Sequence, residues 1–276
     1  MQHDQFQLHA DIEQRHWWFV GRRQILQSLV VELLPPAPES LIVDVGCGTG
    51  ANIASLAERY RCVGIDTSAE AIQFARHRFP AVQFLVGGAP ADLGELAAQA
   101  RLYLLTDVLE HVADDYRMFS ELLAAASPGT HFLITVPADA SLWSEHDESF
   151  GHYRRYAEAR LAAVWSELPV TTLLLSYFNS RLLPVIRGVR WWTRRRGEAA
   201  GQAGTDFWIP RPPVNAALRR IFSGESKRLL ACLGGRKRPY AGGASLVALV
   251  RREPGTVAVR SKPADLPPDQ HDPSVR

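Results

Sequence analysis

The sequence predicts a doubly wound α/β fold, built on one mostly parallel seven-stranded sheet whose last strand runs antiparallel. Three observations predict it. Short β-branched runs alternate with helical stretches from residue 41 to 136, the rhythm of parallel strands joined by crossover helices. The first run leads straight into a glycine-rich turn, Gly46-Cys47-Gly48-Thr49-Gly50. The chain, 276 residues of which 46% are hydrophobic, can bury one good-sized core.

The elements follow in order. Residues 12 to 34 read as one helix, with Phe19, Ile25, Leu26, Leu29, Val30 and Leu33 recurring at three- and four-residue spacing until Pro35-Pro36 ends it. Leu41 to Val45 is the first strand, and Ala51 to Tyr60 the helix after the glycine turn. Cys62 to Ile65 is the second strand; Ser68 is placed to cap a helix from Ala69 to Phe79. Strands at Val82 to Val86, Leu102 to Leu105 and His131 to Val136 continue the alternation, the last after a Pro128-Gly129 turn. Glu158 to Leu168 reads as a helix, Thr171 to Tyr177 as a strand, and Ser245 to Val250 as a final strand antiparallel to it.

Between those last two strands lies a long excursion. Residues 181 to 195 are amphipathic, with Leu182, Val185, Ile186, Val189 and Trp192 on one face and Arg187, Arg190 and Arg194 on the other. Gly197 to Gly204 reads as a loop and Asn215 to Leu233 as another helix. The division expected is a helical cap over 1–36, a ligand-binding domain over 37–252 with a basic insertion or lid at 181–240, and a disordered tail over 253–276.

Composition narrows the function classes. The formal net charge of +2 gives no reason to invoke nucleic acid, but its distribution is uneven. Residues 181–240 hold 14 basic against 3 acidic residues, leaving 17 against 26 elsewhere. The stretch 181–196 therefore fits either a lid over an acceptor or a peripheral contact with an anionic membrane. Cys47, Cys62 and Cys232 are too few and too irregular for a disulfide framework or a zinc site, so no metal is expected and the compartment reads as reduced and cytoplasmic. The polar N-terminus does not read as a signal peptide, and no run of 18 apolar residues occurs.

The glycine turn carries the chemistry. A Cβ at Gly46 or Gly48 would fill space that a ligand needs against bare backbone. Asp66, closing the second strand 20 residues after Gly46, is placed to accept hydrogen bonds from both hydroxyls of an adenosine ribose. Turn and acid alone also suit a nicotinamide dinucleotide, which leaves an oxidoreductase open. Asp44 stands either as a ligand-side acid or as a structural acid capping the turn through its amides.

Beyond this spacing, Val43-Asp44-Val45-Gly46-Cys47-Gly48-Thr49-Gly50 resembles the first motif of the class I S-adenosylmethionine (SAM)-dependent methyltransferases. Thr106-Asp107-Val108-Leu109-Glu110-His111-Val112 resembles their fourth motif, and Ser127-Pro128-Gly129-Thr130 the turn before the fifth strand. The resemblance covers roughly residues 40 to 140. It implies a Rossmann-like fold, SAM as cofactor, and cofactor contacts at Asp44, Gly46, Cys47, Gly48, Gly50, Asp66, Thr67, Asp107 and Val108. Members often hold the adenine amino group with an acid after the third strand. Here that stretch is Val86-Gly87-Gly88-Ala89, so the backbone of Gly88 and Ala89 takes the place, with Asp92 as a lesser helper.

The flanks resemble a bacterial branch of the same superfamily, through Glu13 to Arg23 and Trp143 to Tyr156. Trp17, Trp18 and Phe19 fit a roof over the cofactor or plain packing. Arg22 or Arg23 fits the methionyl carboxylate. Where a methyl acceptor would lie, His146 and His152 are candidate bases with Asp147 to orient a histidine; each is also an ordinary structural residue. His111, Trp143, Tyr153, Arg154, Arg155 and Tyr156 are the candidate acceptor contacts, the arginines alternatively pairing with acids such as Glu145 and Glu148. The reading is methyl transfer to an O, N or C nucleophile of a small-molecule acceptor: a metabolite, lipid or glycan. A non-catalytic SAM-binding protein is the alternative of a different class.

Overall fold

The computed structural model describes residues 10–196, 208–264, 266 and 269–271. One sheet of seven strands runs through it in the order β3-β2-β1-β4-β5-β7-β6. The strands are β1 (Ala37–Val45), β2 (Tyr60–Asp66), β3 (Gln83–Val86), β4 (Leu102–Thr106), β5 (His131–Pro137), β6 (Val170–Phe178) and β7 (Ser245–Arg252). The first five are parallel, while β7 lies antiparallel between β5 and β6. The expected sheet, with its reversed last strand, is the one observed.

Period-two alternation builds a core on each face. Leu41, Val43 and Val45 of β1, Tyr103 and Leu105 of β4, and Phe132, Ile134 and Val136 of β5 pack on one side under α6 (Asp115–Ala125). Their sequence neighbours Ile42, Leu102, Leu104 and Leu133 face the other way, against α2 (Trp17–Leu33) and α4 (Ala69–Arg78). Ser68 caps α4 as expected, its hydroxyl accepting the Ala71 amide at 3.2 Å. Strand order reverses between β1 and β4, and the crevice outside their carboxyl ends is where such a sheet leaves room for a ligand.

Several element boundaries differ from expectation, each for a tertiary reason. The helix read over 12–34 breaks at His16 into α1 (residues 10–15) and α2. His16 Nδ1 accepts the Trp18 amide at 3.3 Å, and the Trp17 amide donates to Asn215 Oδ1 at 2.9 Å instead of continuing the helical ladder. The helix after the glycine turn is only α3 (Ala51–Ala54), followed by turns to β2. In the excursion, α9 (Leu183–Arg196) forms as read, whereas Asn215 to Leu233 is two helices, α10 (Pro212–Ser223) and α11 (Ser226–Leu233). They part where buried Glu225 turns inward to accept the Arg181 amide at 2.8 Å. The loop read over Gly197 to Gly204 lies outside the described residues.

The described part of the tail, for which disorder is expected, makes contacts with the domain. Among its described residues, the Arg260 amide donates to Ser120 Oγ at 3.0 Å and the Lys262 amide to Asp114 Oδ1 at 2.9 Å. Asp269 receives Arg154 through two bonds of 2.5 and 2.8 Å. Few apolar residues are buried here; charge pairing, which composition-based reasoning does not see, holds the segment.

Candidate active site

A cavity of about 540 Å³ opens at the β1/β4 crevice. Gly46, Cys47, Gly48 and Thr49 form one wall, with Thr106, Asp107, Glu110 and His111 beyond β4 beside them. Trp17, Trp18 and Phe19 roof it, and α9 closes the far side with Leu182, Val185, Ile186 and Val189.

The glycine turn has the backbone that its residues dictate. Gly46, Gly48 and Gly50 all have positive φ, at 66°, 51° and 84°, a region that side-chain-bearing residues rarely adopt. A Cβ on Gly50 would meet Phe84 at 2.7 Å, so that glycine is required by packing. A Cβ on Gly48 would meet nothing within 4 Å, so that glycine borders open space. Asp66 stands beside it, accepting the Gly48 amide at 2.9 Å and the Ser68 amide at 2.8 Å. Gly87 hydrogen-bonds to the Asp66 carbonyl at 2.9 Å, which brings Gly88 and Ala89 alongside. Asp92 is spent on the Gly88 amide at 2.8 Å, while Thr67 is exposed next to Asp66.

Two sets of contacts that sequence reasoning missed brace this turn. Buried Glu13 accepts the Thr49 hydroxyl at 2.7 Å and pairs with Arg78 at 3.1 Å. Asn52 reaches Thr106 at 3.0 Å, tying α3 to β4. Glu13 sits on the polar side of its helix with no local signal of a partner 36 residues away.

Beneath the turn lies a dense group of charges. Arg22, almost fully buried, forms an ion pair with Asp107 and stacks over Trp18 with its guanidinium carbon 4.4 Å from the ring centroid. Arg23 turns instead to the Glu13 carbonyl, so of these two it is Arg22 that lines the cavity. Asp44 is fully buried with neither carboxylate oxygen hydrogen-bonded. It therefore does not cap the turn. Burial pushes the Asp44 and Glu110 carboxyls each up to about 8, against the pull of Arg22 on both. Desolvation in turn brings Arg22 down to about 10. Val108 packs on Gly46, and burial pushes the Cys47 thiol up, far from a reactive thiolate.

A second group adjoins the first at Glu110. His152 Nδ1 is 2.9 Å from Asp147 Oδ1, and Arg155 forks onto both Asp147 oxygens at 2.9 Å each. These partners hold the Asp147 carboxyl below the usual carboxylate range in spite of its burial, so it stays ionised beside His152 Nδ1 and fixes the orientation of that ring. His111 meets the His152 ring edge-on with centroids 4.6 Å apart, and His146 stands 6.2 Å from it. The surrounding protein and His152 lower His111 to about 4, so its ring is neutral at physiological pH.

Of the acceptor contacts expected from sequence, His111 and Arg155 line the cavity, as do the candidate bases His146 and His152, and the other acceptor contacts lie elsewhere. Trp143 turns to Glu148 at 3.4 Å. Tyr153 lends its amide to the Glu110 carbonyl at 2.7 Å. Arg154 and Tyr156 are buried beneath the 109–113 segment: Arg154 donates to the carbonyls of Leu109, Val112 and Ala113, and the Tyr156 hydroxyl donates to Asp115 at 2.7 Å. The arginine partners are Asp147, Asp115 and Asp269; Glu145 and Glu148 are not among them.

Comparison with known proteins agrees with this geometry. The profile of a family described as a methyltransferase domain matches residues 18–193. Trans-aconitate 2-methyltransferase of Azoarcus sp. (strain BH72) is 27% identical over 229 residues, which are 79% of this chain and 86% of that protein. A chain from the Haloferax volcanii complex of the Trm112 methyltransferase activator with a methyltransferase superposes with a TM-score of 0.55 at 17% identity, covering 88% of this chain and 93% of that one. Geranyl diphosphate C-methyltransferase of Streptomyces coelicolor A3(2) superposes with a TM-score of 0.50 at 14% identity, over 83% and 78% of the two chains. At these identities the two structures speak for the fold alone. The family match sets aside the nicotinamide reading of the glycine turn and the non-catalytic alternative: the chain belongs to the class I S-adenosylmethionine-dependent methyltransferases.

Proposed function

We propose that the protein methylates an oxygen of a small acceptor with an apolar body, held between the histidine group and the wall of α9. The residues at the crevice fit the cofactor: open space borders Gly48, and the buried Nε of Arg22 has no hydrogen-bond partner. Asp66 would take the ribose hydroxyls, the Gly46–Gly48 backbone the adenosyl sulfur side, Arg22 the methionyl carboxylate, and Gly88-Ala89 the adenine. Bound there, S-adenosylmethionine supplies a methyl group already activated by its sulfonium. The chain then has to align a nucleophile and exclude water, which a roof of Trp17, Trp18 and Phe19 does.

One observation carries the acceptor class. The acceptor side is walled by Leu142, Phe150, Leu182, Ile186, Trp208 and Leu218, and each arginine on the cavity is already engaged. Arg22 pairs with Asp107 and is the one assigned above to the cofactor's carboxylate, Arg155 is held by Asp147 and Arg190 by the Leu142 carbonyl. A tricarboxylate such as trans-aconitate would find no uncommitted guanidinium on the acceptor side of this cavity to receive it. With tritiated SAM, label is expected in the organic-soluble products of a bacterial lipid extract at least about tenfold faster than in trans-aconitate. Equal or faster labelling of trans-aconitate would refute the apolar acceptor.

The mouth of the cavity supports delivery from a membrane surface. Val185, Val189 and Trp208 line it and are each more than half exposed, and Trp191 and Trp192 on the same helix as the two valines are exposed as much, beside Arg187 and Arg195. No helix among the described residues is long and apolar enough to cross a membrane. Arg187 also pairs with Asp139 at 2.8 Å, which latches α9 as a lid. Sedimentation with vesicles rich in anionic lipid is expected to pull down the wild type, and Trp191→Ala/Trp192→Ala to cut the bound fraction by about tenfold. Equal partition of both would leave α9 as a lid only.

A further inference from the structure

Glu110, His111 and His152 come from two separate segments, yet each offers a ligand atom within 4.8 Å of the others, and all three line the acceptor end of the cavity. Sequence reasoning, which looked for cysteines, gave no hint of this. Glu110 is only 1% exposed, and neither of its carboxylate oxygens has a hydrogen-bond partner. A carboxylate so placed needs a cation or a proton, and the nearby guanidinium of Arg22 is already committed to Asp107.

His152 is set up in the same sense. Its Nδ1 is fixed by Asp147 at 2.9 Å, and Asp147 is itself clamped by Arg155. A carboxylate behind the far nitrogen of a histidine is the outer-shell arrangement that orients metal-bound imidazoles and raises their basicity. The segments are also registered to each other by the bond from the Tyr153 amide to the Glu110 carbonyl at 2.7 Å. Two imidazoles and one carboxylate suit a first-row transition-metal dication better than magnesium or calcium. Three protein ligands leave coordination positions open, as sites that handle substrate do and sealed structural sites do not.

We propose that Glu110, His111 and His152 bind one divalent transition-metal cation at the acceptor end of the cavity. Its open positions face the space where the acceptor oxygen lies. That use rests on the acceptor reading above, whereas the binding itself does not.

The test uses untagged full-length protein stripped with a chelator and titrated with Co²⁺, followed by its visible absorption bands, and with Zn²⁺ by calorimetry. One equivalent is expected to bind with micromolar or tighter affinity, with millimolar Mg²⁺ failing to displace it. Glu110→Gln and His152→Ala are each expected to weaken binding by about 100-fold, and Asp147→Asn by about tenfold, with S-adenosylhomocysteine affinity within threefold of wild type in each as proof of folding. Glu110→Gln keeps the shape of the side chain, so it covers the case in which His152→Ala fails to fold. No saturable binding, or one-equivalent binding that Glu110→Gln leaves unchanged, overturns the site. A failure to find an apolar acceptor leaves this titration untouched, so the two readings fall separately.

Discussion

Replacing Asp66 with alanine is expected to weaken S-adenosylhomocysteine binding by about 100-fold, measured by calorimetry on folded protein. The carboxylate stands at the end of β2, half-buried, with its oxygens turned to the amides of Gly48 and Ser68. An adenosine ribose arriving beside the turn would offer two hydroxyls to the same charge. Hydrogen bonds to a charged acceptor are worth about 1.5–3 kcal/mol each, so losing two corresponds to about two orders of magnitude or more in affinity. The substitution also releases the Gly48 amide and so loosens the turn, which adds to the loss. Asp66→Asn separates the parts: it keeps an acceptor for Gly48 but removes the charge, and should fall between wild type and alanine. An alanine variant that binds within threefold of wild type would mean that the ribose lies elsewhere and that the crevice at β1/β4 does not hold the cofactor as proposed.

What could be read from the sequence was what depends on short spacings. The glycine turn, Asp66, the Asp107–His111 segment and the Ser68 cap each involve residues within one loop or one strand-to-helix junction, where local geometry leaves few choices. The Asp147–His152 contact was legible for the same reason, its partners lying five positions apart. What failed was decided by distant contacts. Nothing near His16 announces a helix break, because Asn215 makes it from 198 residues away. Glu225 ends α10 for the sake of Arg181. Glu110 read only as part of the Thr106–Val112 motif, and only the return of the chain at 152 sets a second histidine beside it. The adjacent arginines are the plainest case. Along Arg154, Arg155 and Tyr156 successive side chains alternate in direction, so Arg155 enters the cavity while Arg154 and Tyr156 enter the protein. Residue type alone had placed all three at the acceptor.

For Arg154 the alternation has a large consequence: Arg154→Ala is expected to lower the melting temperature by about 10 °C. The guanidinium is 3% exposed and donates to the carbonyls of Leu109, Val112 and Ala113 at 3.2, 2.7 and 2.9 Å. It also lies 3.6 Å from the fully buried Asp115 and forks onto Asp269. Removing one partner of a buried charge network costs about 3–5 kcal/mol, because the groups left behind stay desolvated. For a domain of this size each kcal/mol moves the midpoint by about 2–4 °C, which gives a fall of roughly 6–20 °C. Arg160 still reaches Asp115 at 2.8 Å and softens the loss on that side, which puts the expectation near the middle. Arg154→Lys keeps the charge but cannot span the three carbonyls, and should recover only part of the stability. The bonded carbonyls belong to the segment that carries Glu110 and His111, so the variant should lose metal affinity in parallel with its stability while Asp66 and the glycine turn keep their cofactor affinity. If instead the midpoint stays within 2 °C of wild type and only the KM for acceptor rises, Arg154 would be an acceptor ligand after all, and the buried network described above would not be the one that exists in solution.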